Sequence, residues 1–167
     1  MKMSDLRATF ERAGGYNVRT FIQSGNVLFE ASTRDAVGIV RKVGARLRRT
    51  LGTEPEIIVR NVHHIEALVE AAPFKDFQFR RGIKLYVAFL SRRPTFRPAL
   101  PLISTTEALE IIRVSGHEAF IVSRPKKRGF FGFPNNFIEE QLGVSATSRN
   151  WSTVTKIADL AQNQADG

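Results

Sequence analysis

The chain reads as an α+β protein, and three observations predict it. Its 167 residues, 43% of them hydrophobic, suffice for one ordinary core or two small sub-domains packed together. Two pairs of β-rich stretches are separated by tight-turn sequences, Ser24-Gly25 and Ser115-Gly116-His117, so their strands pair antiparallel. The elements run helix, hairpin, helix, strand, and then strand, irregular segment, hairpin, helix. A ferredoxin-like (βαββαβ) unit runs strand, helix, two strands, helix, strand. Residues 1–72 therefore read as one such half with its opening strand missing. Residues 83–167 read as a degraded second half with an added C-terminal helix, and 73–82 as the connecting loop. No sequence repeat accompanies this repeated order. The helices are expected on one face of the strands.

Each element has a local reason. Ser4 is placed to cap a first helix reaching about Ala13, with Met3, Leu6 and Phe10 on one face and Gly14-Gly15 stopping it. Val18–Gln23 and Asn26–Glu30 are β-rich and form the first hairpin. Ser32 or Thr33 opens a long helix to about Leu51. Its buried stripe reads as Val37, Val40, Gly44, Leu47 and Leu51, and Gly52 ends it. Glu56–Arg60 predicts a strand, and Val62–Ala71 a short helix with Ile65, Leu68 and Val69 inward. Phe74, Phe77 and Phe79 cover the joint between halves. Ile83–Leu90 is the clearest strand, and three prolines make Arg93–Pro101 extended or turning. Ala108–Val114 and Glu118–Val122 form the second hairpin. Asn135 or Asn136 begins a short helix to about Leu142. Asn150 caps a last helix to about Ala161, with Trp151, Val154 and Ile157 inward.

Composition narrows the chemistry. There is no cysteine, which removes disulfides, thiolate nucleophiles and thiolate-bound metals together. No stretch approaches the ~20 apolar residues of a membrane span. The polar start Met1-Lys2-Met3-Ser4-Asp5 lacks the apolar core of a secretory signal, so a cytoplasmic protein without membrane contact is expected. His63, His64 and His117 match no HExxH spacing. On a helix His63 and His64 point about 100° apart, so no metal site is read here. Neither GxxxxGK[ST] nor GxGxxG occurs, and no cofactor is expected. The net charge is +9, from 25 basic and 16 acidic residues, and 18 of the basic residues are Arg. Such a balance suits a polyanionic partner; a GC-rich genome would give the same Arg excess.

At Phe21-Ile22-Gln23-Ser24-Gly25-Asn26-Val27-Leu28-Phe29 the chain resembles a bacterial family, the domain of unknown function 1697 family. A second signature is Thr147-Ser148-Arg149-Asn150-Trp151-Ser152-Thr153-Val154, with Pro134-Asn135-Asn136-Phe137-Ile138-Glu139 ahead of it. Ile83-Lys84-Leu85-Tyr86-Val87-Ala88-Phe89-Leu90 is similar too. The resemblance covers nearly the whole chain. It implies two ferredoxin-like sub-domains and no established activity, substrate or cofactor. Members usually open with a strand and an LRGINVGG-like turn, whereas this chain starts directly at the helix. A truncated chain or a misplaced start codon is the expectation. The absent strand would leave sheet edges unpaired, a route to dimerisation.

Four features are candidates for function. Gln23, Ser24 and Asn26 present small polar groups that suit an anion or a base, and equally suit a tight turn. Thr147, Arg149 and Asn150 stand at the start of the last helix, where free amides and a guanidinium suit a phosphate or carboxylate, and Asn150 caps. Lys126, Lys127 and Arg128 precede Phe130 and Phe131, the pattern that holds single-stranded nucleic acid by charge and stacking. A solvated basic loop over core phenylalanines has the same composition. Arg128-Gly129-Phe130 starts like the RNA-recognition signature, then departs at Phe131 and Pro134. Arg34, Arg41 and Arg48, flanked by Lys42 and Arg49, form a seven-spaced stripe on the long helix, by default a solvated face. The leading expectation is an anionic partner, nucleic acid or a nucleotide phosphate. The alternatives are an enzyme on a small phosphorylated or carboxylated substrate near Ser24, Asn26 and Arg149, and a protein interaction module.

Overall fold

Leu6 and Phe10 lie one helical turn apart, and that spacing makes the first element amphipathic. In the computed structural model, which describes residues 1–21, 25–78 and 80–163, α1 spans Met3–Ala13 and buries Leu6, Thr9 and Phe10. Its N-cap is Lys2, without a side-chain hydrogen bond, so Ser4 lies inside the helix rather than capping it. Gly14 ends it at φ 109°, a left-handed conformation that glycine adopts without Cβ strain. β1 (Tyr16–Phe21) pairs antiparallel with β2 (Asn26–Glu30). The turn residues 22–24 lie outside the described residues.

α2 runs Thr33–Leu51, opened by Ser32, whose side chain accepts from the Asp35 amide at 3.1 Å, and closed by Gly52 at φ 75°. It buries Ile39, Val43 and Leu47. The expected stripe is thus corrected in phase: Val37 is 76% exposed and Leu51 44% exposed. Two apolar rows share Leu47. The row that meets Leu6, Phe10 and Val18 is the one that lies inside. Residues 52–61 form no strand, which corrects the expectation for Glu56–Arg60. Ile57 instead packs on the α1–α2 core, near Gly44.

The chain divides into units Met1–Val59 and Arg60–Gly167. In the second, α3 (Val62–Glu70) follows Asn61, whose side chain caps the His63 amide at 2.8 Å, and α3 packs on α5 (Trp151–Gln162). Five strands form one antiparallel sheet in the order β4-β5-β6-β3-β7. These are β3 (Lys84–Leu90), β4 (Leu102–Ser104), β5 (Leu109–Ser115), β6 (Glu118–Ser123) and β7 (Ala146–Asn150). β4 and β7 are not anticipated by the sequence pattern.

The helices of this unit sit on both faces of the sheet, not on one. Every residue of β6, and the last five of β3, are buried, and a strand buried on both faces needs cover on both. Tyr86, Ala88, Leu90, Ile111 and Ile121 meet α4 (Asn135–Leu142) on one side. On the other, Phe74 is fully buried, edge-on to Phe120 at 5.8 Å and to Trp151 at 5.3 Å. Phe74 is therefore core rather than joint. Phe77 carries the Arg80 guanidinium 4.9 Å from its ring centre, and Phe79 lies outside the described residues. Among the described residues the fold is α+β with two sheets and five helices. No described helix is long and apolar enough to cross a membrane.

Candidate nucleic-acid interface

The basic and aromatic segment after β6 is a small hairpin. Pro125 bridges Phe131, the Lys126 amide donates to the Phe130 carbonyl at 2.7 Å, and the Gly129 amide donates to the Lys126 carbonyl at 2.8 Å. Gly129 takes φ 76°, which closes the turn where a Cβ would be strained. Lys127 and Arg128 occupy the tip and are exposed. The base of the hairpin is anchored to β6 and to the turn between β4 and β5. A Cβ at Gly132 would stand 2.5 Å from the Glu107 carbonyl oxygen, so only glycine permits this approach. The Ser123 hydroxyl donates to the Gly132 carbonyl at 3.3 Å.

Charge on the hairpin divides in two. Lys126 pairs with Glu107 at 2.6 Å, and Arg124 with Glu110 at 2.6 Å. Lys127 and Arg128 have no ion pair among the described residues. The rings divide as well. Phe131 lies under the Lys84 ammonium, 4.4 Å from its centre, while Phe130 is 71% exposed. Phe133 is 59% exposed and stands edge-on to Tyr86 at 6.1 Å. Burial raises the Tyr86 phenol above its ordinary pKa.

Thr147, Arg149 and Asn150 lie on β7, not in the first turn of a helix. Asn150 is at the N-cap position of α5 but makes no side-chain cap bond. β7 pairs with β3 there, and Asn150 takes φ −55° and ψ 143°. Arg149 Nη1 donates to Thr147 Oγ1 at 2.7 Å and to the Ser148 carbonyl at 2.9 Å. Burial lowers the Arg149 pKa. Arg149 stands opposite Val87 and Asn150 opposite Tyr86. Successive strand residues point to opposite faces, so Arg149 is on the face away from Tyr86 and the Phe133 that touches it. Asn26 donates to the Phe21 carbonyl at 3.2 Å across its own hairpin; Gln23 and Ser24 lie outside the described residues.

Two constellations escape the sequence reading. Glu118, 1% exposed, accepts from Arg60 Nε at 2.7 Å and lies 3.0 Å from His64 Nε2. Arg60 also donates to the carbonyls of Leu90 and His117. The one available signal is an acid heading the apolar run Ala119-Phe120-Ile121-Val122. The second is a groove of about 380 Å³ in the first unit, lined by Asp5, Thr9, Arg12, Arg46, Thr50 and Leu51 among others. Apart from Met1, its residues come from α1 and α2, at spacings no motif records. No cluster of three or more metal-ligating His, Asp or Glu side chains exists among the described residues.

Fold and surface define a small α+β protein with anchored cations and rings. The family description "Protein of unknown function (DUF1697)" matches residues 1–120, and the chain belongs to that family. The match takes in Phe21–Phe29 and Ile83–Leu90; the segments 134–139 and 147–154 lie beyond it. No curated protein matches the chain, and no solved structure does.

Proposed function

We propose that the chain is a cytoplasmic protein that binds single-stranded nucleic acid through the hairpin after β6. One observation carries this reading: Lys127, Arg128 and the 71% exposed Phe130 stand together on a turn whose base is fixed by Gly132. Charge follows a phosphate backbone and a ring stacks on a base, and a fixed frame lowers the ordering cost of binding. Lys84 and Phe133 flank the same surface. Lys126 and Phe131, already engaged by Glu107 and Lys84, support the hairpin instead of meeting the ligand. Arg149 belongs to the other sheet face, and nothing favours a substrate site built on it.

The test is fluorescence anisotropy of labelled single-stranded RNA and DNA at low and physiological salt. Binding that persists at physiological salt and falls in Lys127→Ala, Arg128→Ala and Phe130→Ala, but hardly in Lys126→Ala, supports the reading. Absence of binding at low salt overturns it.

We also read the second unit as a ferredoxin-like half in which β4 and its irregular flanks replace the first helix. In support, β6 separates β3 from β5, and β7 returns to the far side of β3. The first unit supplies the αββα middle of the same pattern.

A further inference from the structure

α2 carries six cations, Arg34, Arg41, Lys42, Arg46, Arg48 and Arg49, against one acid, Asp35. Its net +5 exceeds the +4 of the whole Met1–Val59 unit. At about 100° per residue the six fall within an arc of roughly 160° centred away from Ile39, Val43 and Leu47, with Arg46 at its edge beside Ile39, and all six are exposed. Lys42 and Arg46, and Arg46 and Arg49, are like-charge neighbours one turn apart, an arrangement that works against the helix. Among the described residues only Arg48 of the six meets an acid, Glu54 at 3.5 Å. Arg46 also lines the α1–α2 groove with Arg12, and neither has an ion pair among the described residues.

We propose that this arc is a phosphate-contacting face for double-stranded nucleic acid, independent of the hairpin in the second unit. Arg34, Arg41 and Arg48 recur every seven residues, about 10.5 Å apart along a helix roughly 28 Å long. Cations at fixed spacing on a helix suit a stiff backbone. A flexible strand is held by rings, and α2 has none. Arg12 and Arg46, on separate helices around one groove, are placed to grip a phosphate by two-toothed contacts. The contacts are to phosphate alone, so binding ignores base sequence. The unrelieved repulsion along α2 is what an anionic partner removes.

The experiment is anisotropy of a labelled random-sequence duplex DNA over a salt series, with the full chain. Its variants are the triple Arg34→Gln, Arg41→Gln, Arg48→Gln, the same triple to Lys, and the hairpin triple Lys127→Ala, Arg128→Ala, Phe130→Ala. The Gln triple is expected to weaken duplex binding by roughly tenfold or more at low salt and to flatten the log–log salt slope by about 2.7. The Lys triple and the hairpin triple keep duplex binding. Thermal melting of the Gln triple at or above the wild-type Tm excludes loss through unfolding. Duplex binding unchanged in the Gln triple overturns the proposal, as does no duplex binding by the wild type at low salt. So does attachment to anionic phospholipid vesicles that the Gln triple abolishes while duplex binding survives. Single-strand binding lost only in the hairpin triple leaves the hairpin reading intact whatever the duplex result.

Discussion

Glu107 decides how much charge the hairpin offers. It neutralises Lys126 at 2.6 Å, and its carbonyl is the wall against Gly132. Glu107→Gln is expected to free Lys126 and steepen the single-strand salt slope by about 0.7 in an anisotropy series. Gly132→Ala forces a Cβ into that wall and is expected to cost about 1–3 kcal/mol in urea unfolding. Glu118 tests the other extreme of burial. With its side chain 2% exposed against Arg60 and His64, Glu118→Ala leaves a mostly buried guanidinium without its carboxylate, at about 3–5 kcal/mol by the same measurement. Tyr86 provides a pH readout. Burial holds its phenol above the ordinary value of 10.0, so the unfolded chain releases this proton at lower pH than the folded one. Its contribution is therefore intact below about pH 10 and declines as pH rises through the higher folded value. Urea unfolding from pH 9 to 11 is expected to show a smaller decline for Tyr86→Phe than for wild type. The sequence displayed the basic–aromatic pattern, but not which cations stay free. That depends on acids 14 and 19 residues upstream, brought alongside Arg124 and Lys126 by sheet pairing.

Elements with their own start and stop chemistry were legible: α2 between Ser32 and Gly52, and the hairpin of β5 and β6. What depended on a distant neighbour was not. Glu56–Arg60 has strand composition, yet no strand forms there. β4 is three residues long and carries no turn signal of its own. β7 forms because β3 lies beside Ala146 to Asn150, a neighbour that no local pattern announces. The buried row of α2 was ambiguous because Leu47 serves both choices. Ile39→Ala is expected to cost about 2–5 kcal/mol, and Leu51→Ala under about 1 kcal/mol, in parallel chemical denaturation. The reverse order would restore the stripe through Val37 and Leu51.

At the scale of the molecule, the contacts of Arg60, Phe74 and Trp151 described above all close within residues 60–167. A fragment of those residues is expected to unfold in a single cooperative transition by circular dichroism; a broad, non-cooperative melt would show that the first unit is needed. The same wiring sets an order in time. The first unit's core of Leu6, Phe10, Val18, Ile39, Val43 and Leu47 closes within 59 residues, but Tyr86 pairs with Asn150 and Arg60 with Glu118. A ribosome releases the chain from its N-terminus, so helix α3 and the apolar strand β3 emerge long before α5 and β7 exist to cover them. Until nearly the last helix is synthesised, Val87, Phe89 and Leu90 wait on an unfinished sheet edge. The nascent chain therefore passes through a sticky interval during which holding chaperones have something to hold.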